Sequence, residues 1–317
     1  MSTSPLVSVI MANFNGARYL RAAIDSLRKQ TMSDWELIFV DDASTDGSVP
    51  IAQAAANADP RVTITAQREN RGPGAARNAA LEMARGEWIA IFDSDDMMAP
   101  QRLETLLNRA ARDQAAIVAD NLLLFSDTAQ KPRPHLRNAL GVSPRWISLA
   151  DLIESDCLYS RTPNLGYLKP MIKANLIGQF RVRYDEQLRI GEDSYFLASL
   201  LANGQRLRFE PTPLYHYRKH PSSISHRMKA DHIYALMDAD DRFRKQVPLN
   251  DRETRLLDRR RQSLDALLDY DRVVHAIKQG EPGRGAGLAM RNPRIWPLLT
   301  RPIAARLKRM REALEAL

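Results

Sequence analysis

Short apolar runs alternate with helix-length segments through the first 120 residues, and few folds accommodate that order. Residues 7–11, 37–40, 62–66, 88–92 and 116–119 read as strands. Between them, residues 17–30 place Leu20, Ala23, Ile24 and Leu27 on one helical face. Ser44 or Thr45 is expected to cap the helix after the second strand. Pro73 opens a helix that runs to Ala84 before Gly86, and Pro100 opens the next. The alternation predicts an α/β fold with a doubly wound, mostly parallel sheet. Such sheets hold ligands outside the C-terminal ends of their strands.

The fourth run ends at such a position in Asp93-Ser94-Asp95-Asp96. Carboxylates this close repel one another unless a cation lies between them. The expectation is a metal-and-phosphate site at a strand tip. The second run likewise ends in Asp41-Asp42, where a carboxylate can accept from a nucleobase ring N–H or a ribose hydroxyl. Residues 70–78, Asn-Arg-Gly-Pro-Gly-Ala-Ala-Arg-Asn, form a turn into a helix that brings backbone and Arg77 towards a nucleotide.

The pattern changes beyond Ser148. Helices are expected near residues 149–155 and from 192 to 204, with strand-like pieces at 207–210 and 214–219. From Met228 to Lys278 the chain is strongly helical, and the glycine-rich residues 280–287 read as a linker. Residues 126–145 read as a loop that can face substrate. Residues 283–317 carry eight Arg and Lys against two Glu, so most of the net charge of +8 belongs to the tail. A basic tail interleaved with Ile295, Trp296 and Leu298 suits an anionic membrane surface. No zinc-finger spacing or RNP-like aromatic motif accompanies it, so nucleic acid is not an expected partner.

The single cysteine, Cys157, permits no internal disulfide and reads as a packed residue. No signal-peptide pattern opens the chain, and no apolar stretch has the length of a membrane span. The expected site of action is the cytoplasm, including the cytosolic face of the inner membrane.

Six pieces in order carry a family resemblance over residues 5–225. They are "VSVIMANFN" at 7–15, "VDDASTDGS" at 40–48, "NRGPGAARNAALEMARGEW" at 70–88, "FDSDD" at 92–96, "GEDSYF" at 191–196 and "LYHYRKHPSSIS" at 214–225. Together they resemble family 2 glycosyltransferases, which have the GT-A nucleotide-sugar-binding fold. The implied division is a glycosyltransferase domain over 1–225, comprising a nucleotide-sugar half (1–120) and an acceptor half (121–225). A helical extension over 226–280 follows, then a linker and basic amphipathic tail over 281–317.

The resemblance implies an inverting, metal-dependent transfer of one sugar from a nucleotide-sugar donor, a UDP-sugar, to a glycan or lipid-linked glycan acceptor in bacterial cell-surface polysaccharide synthesis. Asn13, Asp42, Arg77, Asp93 and Arg218 would bind the nucleotide, with Asp42 on the base. Asp93, Asp95 and His220 would hold Mn²⁺ or Mg²⁺, which favours oxygen ligands and neutralises the diphosphate leaving group. Asp96 would cap the turn or orient Asp95. Asp193 would be the base that deprotonates the acceptor hydroxyl, with Glu192 as its alternate. Trp146 is a candidate platform for an acceptor sugar.

Other classes fit less well. A sugar-1-phosphate nucleotidyltransferase needs Gly-x-Gly-x-Arg after the first strand and a dinucleotide-binding dehydrogenase needs Gly-x-Gly-x-x-Gly there; residues 12–16 read Ala-Asn-Phe-Asn-Gly. A non-catalytic sugar-binding or scaffold relative would be expected to lose the Asp-x-Asp or the later acid pair, and both are present. Processive synthases of the family carry Gln-x-x-Arg-Trp; here Arg145-Trp146 follows Val142, which favours single-sugar addition.

Overall fold

The computed structural model describes residues 4–127, 131–137, 141–220 and 229–300. The N-terminal half is β1 (Val7–Asn13), α1 (Ala17–Arg28), β2 (Trp35–Asp41), α2 (Ser48–Ala58), β3 (Val62–Ala66), α3 (Pro73–Met83) and β4 (Trp88–Ile91). These four strands run parallel in the order β3-β2-β1-β4. All seven residues of β2 are buried, as expected for a strand covered on both faces. Helix α1 buries Leu20, Ala23, Ile24 and Leu27, the stripe visible in the sequence. Burying one such side chain is worth about 1.5–3 kcal/mol.

β5 (Met97–Met98), α4 (Arg102–Asp113), β6 (Ile117–Phe125), β7 (Arg133–Pro134), β8 (Arg145–Ile147), α5 (Leu149–Ser155), β9 (Met171–Lys173), α6 (Ala174–Gln179), α7 (Glu192–Ala202) and β10 (Leu207–Arg218) follow. They extend the sheet as β4-β9-β6-β10-β5, with β9 antiparallel to both neighbours and β10 parallel to β6. The sheet is parallel over β3-β2-β1-β4 and mixed beyond β4.

Several sequence expectations need correction. Neither Ser44 nor Thr45 caps α2. The helix starts at Ser48 behind Gly47, and Asp46 Oδ1 accepts from the Ser48 amide at 2.9 Å. Ser44 instead donates to Asp41 Oδ1 at 2.7 Å. The short strand expected at 116–119 is nine residues long, because β6 pairs with β10 along its length. The two pieces at 207–210 and 214–219 are one strand, β10, whose register shifts around Pro213. The expected loop at 126–145 contributes the short strand β7, and Arg145 begins β8.

The C-terminal part is α8 (Ala230–Gln246), α9 (Asp251–Lys278) and α10 (Pro282–Arg291). The glycine-rich stretch read as a linker is therefore helix α10: Pro282 occupies its first turn, and Gly285 allows close approach to α9, its absent Cβ lying 3.1 Å from Ile277 Cγ1. α8 and α9 bury Ile233, Leu236, Met237, Leu264 and Leu268 around Leu188. Arg260 of α9 pairs with Asp240 of α8 and, at 2.6 Å, with Asp156 just after α5. Helices α8 and α9 are thus anchored on the rest of the fold by apolar packing around Leu188 and a buried ionic bridge to Asp156. Among the described residues, no helix is long and apolar enough to cross a membrane. The tail beyond Thr300, including the basic residues Arg301, Arg306, Lys308, Arg309 and Arg311, lies outside the described residues, as does the segment 221–228.

Candidate active site

The chain winds β1 to β2 to β3 on one side and returns with β4 on the other side of β1. This switch point opens a crevice at the C-terminal strand ends. Asn13 ends β1, Asp41 ends β2 with Asp42 just after it, and Asp93–Asp96 follow β4. The sheet itself therefore collects these polar residues at one edge.

The acidic turn contains three different carboxyl groups. Asp93 is held by Arg77 Nη2 at 2.7 Å and Lys169 Nζ at 2.6 Å. Burial opposes its charge, but these two cations prevail and hold its pKa below the ordinary carboxylate range. Asp96 is buried and accepts from the Arg218 amide at 2.7 Å. Desolvation, then the charges of Asp95 and Asp93, push its pKa well above the usual value. Asp95 is the most open of the three: its side chain is 34% exposed, and its Oδ2 lies 2.8 Å from His220 Nε2.

Carboxylate oxygens of Asp93, Asp95 and Asp96 lie within 4.8 Å of one another. The set suits a hard divalent cation, which takes one or two carboxylates and completes its shell with phosphate and water. The Asp95–His220 separation of 2.8 Å also approaches the distance of about 3 Å between neighbouring ligands on an octahedral cation with bonds of about 2.1 Å. Asp93, with both oxygens on cations, is the less available ligand of the expected pair. Asp95 and His220 are the better placed.

Arg218 is brought to the same turn. Its Nε donates to the Asp95 carbonyl at 2.9 Å, and its guanidinium lies 4.6 Å from the Tyr19 and Phe125 ring centroids. Nη1 pairs with Asp127. The His220 ring packs against Tyr19, centroids 4.8 Å apart.

The later acid pair opens α7. Gly191 precedes it at φ +85°, a left-handed conformation that favours glycine. Glu192 Oε1 accepts from Arg77 Nη1 at 2.7 Å. Its carboxyl is buried, and desolvation followed by the Asp193 charge raises its pKa. Asp193 Oδ2 pairs with Lys169 Nζ at 2.5 Å. Its Oδ1 lies 3.3 Å from Arg77 Nη1 but accepts no hydrogen bond. One guanidinium and one ammonium therefore join the turn after β4 to the acids of α7.

Other expected residues sit differently. Asp42 is buried, and its oxygens accept from the Arg71 and Gly72 amides at 2.7 and 2.8 Å. It anchors the loop leading into α3, and these contacts lend no support to a base-holding role. Asn13 Nδ2 donates to Asp41 at 2.9 Å, leaving a buried Oδ1 without a hydrogen bond. The Trp146 ring carries Arg206 and Arg208 over it at 5.4 and 5.3 Å, so the expected sugar platform is already engaged by cations. The Cys157 thiol is pushed up to about 11 by burial, which keeps it protonated at neutral pH and unsuited to nucleophilic attack.

Lys169 and Tyr215 were missed by sequence reasoning. Tyr215 Oη accepts from the Asp93 amide at 3.1 Å. Tyr215 lies in the piece at 214–225, where nothing singles it out from its neighbours, and Lys169 carries no local signal. Lys169 stands before a proline and resembles any surface lysine until the sheet places β9 beside β4.

The description "Glycosyl transferase family 2" matches residues 8–188, more than half of the chain. The chain belongs to this family. The succinoglycan biosynthesis protein ExoO of Rhizobium meliloti (strain 1021) is 36% identical over 306 residues, covering 96% of this chain and 87% of the relative. The fold is similar to that of S. aureus TarS 1-349 in complex with UDP-GlcNAc, with a TM-score of 0.64, 20% identity and coverage of 79% of this chain and 70% of the other. It is also similar to mannosyltransferase PcManGT from Pyrobaculum calidifontis in complex with GDP-Man and Mn²⁺, with a TM-score of 0.59, 18% identity and coverage of 92% and 83%. The expected GT-A fold and glycosyltransferase class hold.

Proposed function

We propose that this glycosyltransferase moves a single sugar from a UDP-sugar to a hydroxyl of a glycan or lipid-linked glycan, with inversion, during assembly of a bacterial cell-surface polysaccharide. The observation that carries the reading is the joining of the Asp93–Asp96 turn to Glu192 and Asp193 through Arg77 and Lys169. Leaving-group stabilisation and proton acceptance must stand on opposite sides of one anomeric carbon. The succinoglycan role named for the 36% identical relative supports the polysaccharide setting.

Asp95 and His220, with Asp93 beside them, would hold Mn²⁺ or Mg²⁺. When bound, the cation would offset charge on the diphosphate leaving group. Arg218 adds fixed positive charge at the same turn. Asn13 Oδ1 offers a buried acceptor for a nucleobase N–H, while Asp42 supports the neighbouring loop. The Asp193 carboxylate takes the acceptor proton as the hydroxyl oxygen bonds to the anomeric carbon and the bond to the diphosphate breaks.

The setting includes an anionic membrane surface. Met290 and Trp296 are 70% and 52% exposed, next to Arg291 and Arg294. Exposed apolar and basic side chains together fit the headgroup layer. Release of UDP from UDP-sugars in the presence of Mn²⁺ tests the catalytic reading; no release from any of them would refute it.

A further inference from the structure

We propose that Lys169 is a positioning residue for the transfer step: it holds the Asp193 carboxylate at a fixed place against the turn after β4. The inference rests on the reading of Asp193 as the base. Lys169 Nζ reaches Asp193 Oδ2 at 2.5 Å and Asp93 Oδ2 at 2.6 Å, and its side chain is 5% exposed. Asp193 Oδ1 is buried 3.3 Å from Arg77 Nη1 and has no hydrogen bond. A carboxylate at the start of a helix can otherwise rotate and exchange its two oxygens. A charge-assisted bond to one of them is both strong and directional, and removes that freedom.

Arg77 cannot do this alone. Its short hydrogen bonds go to Asp93 and Glu192, and it stands 3.3 Å from Asp193 Oδ1 without a hydrogen bond. Among the described residues, Lys169 alone makes a short bond both to the turn after β4 and to Asp193. It therefore sets the spacing between the donor side and the proton acceptor.

The backbone of Lys169 has its own buried support. The Arg102 side chain is fully buried, pairs with the equally buried Asp120 at 2.9 Å and donates through Nη2 to the Lys169 carbonyl. The neighbouring Pro170 carbonyl accepts from the Ile91 amide at 3.3 Å. Burying a charged pair is costly, and here one of its hydrogen bonds goes to the main chain of the residue that holds Asp193. This arrangement locks Lys169 to the same strand, β4, that carries the acidic turn.

The test compares wild type, Lys169→Met, Lys169→Arg and Asp193→Asn for UDP release from a UDP-sugar and for UDP affinity, both with Mn²⁺. Lys169→Met keeps the length and removes the charge. Misplacing a reacting group by about 1 Å costs on the order of a hundredfold, so its kcat should fall about that far while UDP affinity stays within about threefold. Lys169→Arg keeps the charge with shifted donors and should fall between, at least about tenfold below wild type. If Lys169→Met does not fold, Lys169→Arg carries the test alone.

Wild-type kcat in either Lys169 variant overturns the proposal. So does a parallel loss of UDP affinity and melting temperature, which marks a structural ion pair. Asp193→Asn separates the two levels: if it turns over like wild type, the base assignment itself is wrong. If it is inactive while the Lys169 variants match wild type, only the positioning claim falls.

Discussion

His220 Nε2 lies 2.8 Å from Asp95 Oδ2, across 125 positions of sequence. β10 delivers the histidine beside the turn that follows β4. Two side chains able to ligate one divalent cation thus already face each other. His220→Ala should weaken Mn²⁺ binding in the presence of UDP by at least about tenfold, as read by calorimetric titration. Unchanged affinity would take His220 out of the metal site.

The acid pair of α7 separates by environment. Glu192 is hydrogen-bonded to Arg77, whereas Asp193 retains an oxygen without a hydrogen bond. Asp193→Asn should lower kcat by about 10²–10⁴-fold, the usual contribution of a general base, with UDP affinity nearly unchanged. Glu192→Gln should lose less. The reverse pattern in steady-state kinetics would exchange their roles.

The exposed basic and aromatic edge around α10 makes a membrane prediction. Co-sedimentation with phosphatidylglycerol vesicles should fall as salt rises. Each basic residue near such a surface is worth about 1 kcal/mol, so the double variant Arg291→Glu and Arg294→Glu should weaken binding at least about tenfold. Trp296→Ser should weaken it further, and UDP release in solution should persist in all of them. Equal sedimentation of wild type and variants would reject this surface.

Local pattern and strand-tip chemistry are legible in the sequence; long-range burial is not. The full span of β3 is visible because residues 62–66 are bounded by a proline-containing turn and a polar loop. Asp93, Asp95 and Asp96 stand out because three carboxylates crowded after an apolar run repel one another unless cationic charge compensates them. The pairing of β6 with β10 is invisible, since neither strand's extent is set by its own residues. Helix α10 is hidden because its glycines outweigh the proline at its start, and packing on α9 supplies what propensity lacks. Asp42 sits at the expected strand end, but the loop amides that occupy it come from residues 71–72. Lys169 shows the limit most clearly: its ion pairs lie with Asp93 and Asp193, and no local pattern announces them.

The most direct measurement is UDP release from a UDP-sugar by purified protein with Mn²⁺, with excess EDTA, and by Asp95→Ala with Mn²⁺. Asp95 is the open carboxylate of the turn, and its main chain rather than its side chain carries the bond to Arg218. Turnover should vanish in EDTA, return when Mn²⁺ is restored, and be absent in Asp95→Ala at an unchanged melting temperature. Wild-type turnover in excess EDTA, or in Asp95→Ala, would contradict metal-assisted transfer at this site.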